Sequence, residues 1–216
     1  MSSLGLAMLD AARADLNVRE TSPNSGPRVA EMLATVGLQP PQPWCAAAVT
    51  TWLRSAAKGL GVEPPVKGSA LAQEIGRQLQ RAGRWIDVAQ IGDARRTLRP
   101  GMLLVWYRGP RESGLGHVGV IEEVVDGQHL KTIEGNSGAL GDGVWRMSRS
   151  SSDPLLLGAG WVDDSVEPPF VEPPFVEPPA QASVAPTPPG GGAPALLLGV
   201  VLGLVVVQAW RHWRSL

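Results

Sequence analysis

Residues 117–137 read "HVGVIEEVVDGQHLKTIEGNS". Two apolar runs with alternating β-formers flank Asp126-Gly127, a dipeptide suited to the left-handed residues of a type I′ hairpin turn. With Asp126 and Gly127 as the two turn residues, Val125 pairs with Gln128 and every pair of opposed numbers sums to 253. His117 then lies opposite Asn136, and Glu134 opposite Gly119. Residues two apart on a strand share a face, so Glu134 and Asn136 point the same way, with His117 across the ladder within side-chain reach.

Working outward, "MLLVWY" (102–107), "VWRMS" (144–148) and "LLLGAGWV" (155–162) are further short apolar runs between turn residues, which predicts an antiparallel sheet. Before Pro100 the period is helical. Leu4, Leu6, Met8 and Leu9 open one amphipathic segment, and a second runs from Pro27 to Gly37. A third is predicted from about Trp44 to Lys58. A fourth has Ser69 as N-cap, Leu71, Ile75 and Leu79 as its face, and Gly83 as its stop.

The chain has 216 residues, 44% of them apolar, which is enough for one packed domain plus accessory segments. Its formal net charge of −1, with no basic block, argues against a nucleic-acid partner. Three dispersed histidines and one cysteine give no metal-ligand spacing, so neither metal nor cofactor is expected. The single cysteine, Cys45, cannot form an internal disulfide, and is a structural thiol, a reactive thiol or an intermolecular link. It stands in "QPPQPWCAAAV", where a helix starts, and unpaired N–H groups and the helix dipole favour a thiolate at such a position. An imidazole with a carboxylate on one ring nitrogen keeps the other nitrogen for proton transfer. Together Cys45, His117, Glu134 and Asn136 have the residue types of a thiol hydrolase.

"ETSPNSGPRVAEMLATVGLQPPQPWCAAAVTTWL", "RPGMLLVWYRG", "GHVGVIEEV" and "TIEGNSG" follow one another in an order and spacing that resembles CHAP-type cysteine peptidases and amidases, which act on peptidoglycan. The resemblance covers roughly residues 16–162. It implies an α+β, papain-like domain with N-terminal helices packed on an antiparallel sheet. It further implies Cys45 as nucleophile, His117 as general base, Glu134 and Asn136 as residues that orient the histidine, and peptidoglycan as substrate. Trp44 is expected either to pack in the core, as Trp106, Trp145 and Trp161 are, or, being beside the thiol, to line the substrate groove. Ala48 and Val49 stand where the family commonly has Phe, and the loop at 108–116 is short, so the substrate subsite stays open. An inactive relative that only binds wall peptides or a partner protein is the alternative.

The predicted division is a catalytic domain at 1–162, a tether at 163–192, a transmembrane helix at 193–210 and a basic tail at 211–216. The tether carries a Val-Glu-Pro-Pro-Phe repeat from Val166, a composition that favours extended polyproline II. "APALLLGVVLGLVVVQAW" has no charge, and as a helix it spans about 27 Å, close to a bilayer core of about 30 Å. Gly199 and Gly203 have the spacing that pairs membrane helices, which would give a homodimer. Arg211 and Arg214 after the run place the domain outside by the positive-inside rule, yet the first twenty residues lack a basic-then-apolar leader. A lipid membrane of the host envelope or of a virion is the expected location.

Overall fold

The computed structural model describes residues 3–108 and 114–164. The predicted tether from residue 165 on, the membrane helix, the helix-pairing glycines and the basic tail lie outside the described residues, while Asp163 and Asp164 still bond to the domain through Gly5 and Arg84. Among the described residues no helix is long and apolar enough to cross a membrane.

Four helices precede most of the sheet: α1 (Leu4–Ala14), α2 (Pro27–Thr35), α3 (Cys45–Leu60) and α4 (Ala72–Arg81). They form for ordinary local reasons. Ser3 caps α1 by accepting the Leu6 N–H, Pro27 occupies the first turn of α2, and Gly61 ends α3 in the left-handed conformation. The start of α4 is corrected. The Ser69 hydroxyl accepts the Leu71 N–H in a turn that precedes the helix, so Leu71 becomes the N-cap residue and is 46% exposed. The buried face of α4 is Ala72, Ile75, Gly76 and Leu79 instead.

The strands are β1 (Trp85–Asp87), β2 (Leu103–Tyr107), β3 (Gly116–Val124), β4 (His129–Ser137), β5 (Gly143–Ser150) and β6 (Leu156–Gly160). They make one antiparallel sheet in the order β1-β6-β2-β3-β4-β5. The sequence reading did not anticipate β1 or the two single-turn helices α5 (Val88–Ile91) and α6 (Ala94–Thr97). One face of the sheet, with Leu103, Val105, Val118, Val120 and Ile133, packs with Trp52, Leu53 and the buried residues of α1 and α4. The other face, with Leu104, Trp106, Ile121 and Leu130, packs with Ile91 and Ala94 of the two short helices and with Leu98 just after them. The domain is therefore α+β, with helices against an antiparallel sheet.

The β3–β4 hairpin departs from the two-residue turn. Val125 donates to the His129 carbonyl, and Val124 pairs with Leu130, so three residues, Asp126 to Gln128, form the turn. One carboxylate oxygen of Asp126 accepts the N–H groups of Gln128 and His129, which closes that longer turn. A β-bulge then places one extra residue, Glu122, between the pairs Ile121–Thr132 and Glu123–Lys131. Beyond the bulge Val120 pairs with Ile133, so the sum is 253 again where the predicted site begins.

Candidate active site

Cys45 is the first residue of α3, so its thiol sits among the N–H groups that have no partner within the helix. Its Sγ lies 3.9 Å from the carbonyl of Gly116, the residue before His117. His117 is 2% exposed and its Nε2 meets Glu134 Oε2 at 2.7 Å. That leaves Nδ1 buried and without a hydrogen bond of ordinary geometry. The nitrogen that Glu134 does not use is therefore the one free to exchange a proton with the thiol.

Mutual influence between the two groups fits this placement. Burial alone would raise the Cys45 pKa, but the interaction with His117 outweighs it, helped by the charge of Arg108 and by the Ala46 N–H, and the thiol is lowered from its ordinary value. Burial opposes the imidazolium, yet Cys45 and Glu134 raise the pKa of His117 to about 9. The thiolate and imidazolium thus stabilise each other across the site.

Glu134 is fully buried, and the register explains how it reaches His117. Gly119 lies between them, and a Cβ there would stand 2.5 Å from Glu134 Cγ. The carboxylate crosses the space that glycine leaves open. It also accepts from Thr132 Oγ1 at 2.6 Å, Ser137 Oγ at 3.1 Å and Arg149 Nε at 2.7 Å, with Arg149 Nη2 on the second oxygen. Burial works against its charge, but Arg149 and His117 prevail and hold Glu134 well below the usual carboxylate range.

Two of the expected site residues are placed elsewhere. The pairing of β4 with β5 shifts register after Glu134, and Asn136 has a φ of 52°, so the rule that residues two apart share a face fails there. None of the hydrogen bonds of Asn136 runs to His117. Its Oδ1 accepts the Trp44 N–H at 3.3 Å, and its Nδ2 donates to Asn24 Oδ1 and the Gly141 carbonyl, each at 3.0 Å, and to Glu20 Oε1 at 3.3 Å. It braces the start of the Cys45 helix. Trp44, of whose two readings the structure shows core packing rather than a groove wall, is completely buried, with its indole N–H on Glu20 Oε1 at 2.7 Å and its ring against Gly135. It is a packing residue that ties α3 to the N-terminal loop.

Arg149, Thr132, Ser137, Arg108, Glu20 and Asn24 were not anticipated. The only sequence signal for Arg149 is the pair of basic residues in "WRMSR", whose odd spacing puts Arg146 and Arg149 on opposite faces of a strand without saying which reaches the site. Among the described residues no group of His, Cys, Asp and Glu could hold a metal ion.

No curated protein was found to match the chain. Solved structures of Ly7917, one alone and one with the hydrolyzing product of MDP, are 18% identical to it with a TM-score of 0.43. They align over 73% and 74% of this chain, and the chain spans 62% of the Ly7917 chain. The family model described as CHAP domain matches residues 38–136, a span that includes Cys45, His117, Glu134 and Asn136. Over those residues the chain is similar to the CHAP domain family.

Proposed function

We propose that this protein is a peptidoglycan hydrolase that cleaves an amide bond with Cys45 as nucleophile. The observation that carries this reading is the alignment of Cys45, at the first turn of α3, with a histidine whose other ring nitrogen is fixed by a buried carboxylate. The CHAP match over the same residues and the family resemblance of the sequence support the substrate class. A helix-start thiol facing an imidazole on an antiparallel sheet is a papain-like arrangement.

In this mechanism the Cys45 thiolate attacks the amide carbonyl carbon, forming a C–S bond and moving the carbonyl π electrons onto oxygen. The N–H groups at the start of α3 are positioned to stabilise that oxyanion. Collapse re-forms the carbonyl and breaks the C–N bond, and the leaving nitrogen takes a proton from His117 Nδ1. The thioester is then hydrolysed: Nδ1 removes a proton from water, the hydroxide adds, and the C–S bond breaks to restore thiolate and imidazolium. Glu134 holds the ring throughout, with Nε2–H as its donor.

The test is digestion of purified cell walls by the full chain, with mass analysis of released fragments. Release that is abolished in Cys45→Ala supports the reading, and the fragments identify whether the bond lies between glycan and peptide or within the peptide. Digestion by Cys45→Ala equal to that of the wild type would sink it in favour of a wall-binding protein.

A further inference from the structure

Four charges meet in this site and they come from four elements. Cys45 opens α3, His117 is the second residue of β3, Glu134 lies near the end of β4, and Arg149 lies near the end of β5. Thiolate, imidazolium, carboxylate and guanidinium sum to zero. The Arg149 side chain is 24% exposed, so its charge is largely withdrawn from water, and both of its bonds run to Glu134. Its guanidinium carbon also lies 5.1 Å from the centre of the Trp106 ring, and that ring lies 5.8 Å from the His117 ring. The four side chains His117, Glu134, Arg149 and Trp106 thus close a ring in which each touches the next.

We propose that Arg149 is a positioning residue for the reaction: its fork pins the Glu134 carboxylate against His117, and its charge allows a thiolate, an imidazolium and a carboxylate to share one buried site. The proposal rests on the reading of Cys45 and His117 as the reacting pair. A carboxylate accepting two parallel guanidinium N–H bonds is held in one plane, and that plane presents Oε2 to Nε2. Without the guanidinium the site carries a net negative charge in a low-dielectric surrounding, and the thiolate becomes harder to form. If Glu134 swings away instead, His117 loses its anionic partner and the thiolate loses its counter-ion. Both routes move the Cys45 titration in the same direction, upward.

The charged groups bearing on this titration are His117 on β3 and Arg108 just after β2, with Glu134 on β4 acting through His117, and Arg149 on β5 acting through Glu134. Asp153 adds to the charge environment of Arg149.

Because Cys45 is the only thiol in the chain, its reactivity can be read without a substrate. The rate of alkylation by iodoacetamide is measured against pH for the folded full chain, for Arg149→Met and for Arg149→Lys. The expected result is a midpoint raised by about one pH unit in Arg149→Met, so that alkylation below the midpoint is about tenfold slower. Arg149→Lys, which keeps the charge and loses the fork, falls between. A merely structural arginine would lower the melting temperature and leave the midpoint of the remaining folded protein where it was. Unchanged midpoints in both variants would overturn the proposal. If Arg149→Met does not fold, an unchanged midpoint in Arg149→Lys, together with wild-type digestion, overturns it alone. Failure of the hydrolase reading shows separately, as digestion by Cys45→Ala, and leaves the thiol titration untouched.

Discussion

The β3–β4 hairpin carries a histidine–carboxylate pair at each end, and the two pairs differ in almost nothing but their surroundings. His117 Nε2 is 2.7 Å from Glu134 Oε2, and His129 Nδ1 is 2.8 Å from Asp126 Oδ2. At the turn the side chains are 65% and 50% exposed; at the site they are 3% and 0% exposed. Exposed, such a pair is screened by water and contributes little. Buried, the same contact fixes which ring nitrogen is occupied and leaves Nδ1 without a hydrogen bond, and against the cost of burial Cys45 and Glu134 together raise the imidazole to about 9. The oxygen that Asp126 spends on the backbone N–H groups of Gln128 and His129 shows what its end of the hairpin is for: it shapes the turn.

The largest separation between the ends is expected in activity. His117→Ala should lower wall digestion by about 10³-fold, within the range lost with a general base, while His129→Ala stays within about twofold of the wild type. Turbidity loss of a wall suspension measures both. Comparable losses from the two substitutions would erase the distinction that burial draws.

The carboxylates should separate next, in stability as well as activity. Glu134→Gln leaves Arg149 without its anionic partner and puts an amide where a charge was satisfied. It should cost about 3 kcal/mol, the range found when one member of a buried pair is removed, and lower digestion by about 10²-fold. Asp126→Asn, at a half-exposed position where the amide oxygen can still accept the turn N–H groups, should leave the melting temperature and the digestion rate unchanged. Thermal unfolding of the two variants side by side checks this.

The glycines on the same strand pair extend the comparison. A methyl group at Gly119 would meet Glu134 Cγ at 2.5 Å, so Gly119→Ala must push the carboxylate off His117. About tenfold lower digestion and a loss of about 1–3 kcal/mol are expected, as for overpacking of a filled core. At Gly127 the nearest atom to an added Cβ is the end of the Asp93 side chain at 3.0 Å, which can move aside. Gly127→Ala should fall within about 0.5 kcal/mol of the wild type, as surface changes do.

These contrasts bear on how much the sequence could say. The pairing of His117 with Glu134 was legible because side-chain period and opposed numbering are consequences of strand geometry alone. It held, however, through two offsetting departures: the turn takes three residues rather than two, and the bulge at Glu122 restores the count. Glu122 stands in ion pairs with Arg13 of α1 and Arg146 of β5, contacts that only the assembled fold provides. Asn136 was misplaced by the same kind of event, a register shift with a positive φ, and here nothing restored the count. Cys45 was legible as a helix-start thiol because prolines precede it and an apolar helix follows. Arg149 was not, since its link to Glu134 depends on the β4–β5 register, and that register passes through the shift at Asn136. Local propensity located the elements; the irregularities that aim side chains into the site arise from packing between them.

The smallest effect is the pH response, and its sign differs between the two ends. At the site, the raised pKa of His117 means that its contribution to stability is full below about 6.5, the ordinary value, and is lost as pH rises through about 9. Glu134 is depressed, so its contribution is present above about 4.5 and is lost as pH falls. In the proposed mechanism the reactive form is thiolate with imidazolium, which appears as Cys45 ionises at its lowered pKa and disappears as His117 loses its proton. Digestion should therefore rise from acid pH to a plateau and be halved, a factor of about two, near pH 9. Removing the turn pair with Asp126→Asn and His129→Ala should leave that basic limb in place. A basic limb that followed His129 would reverse the assignment, because the exposed pair would then be the one that governs the chemistry.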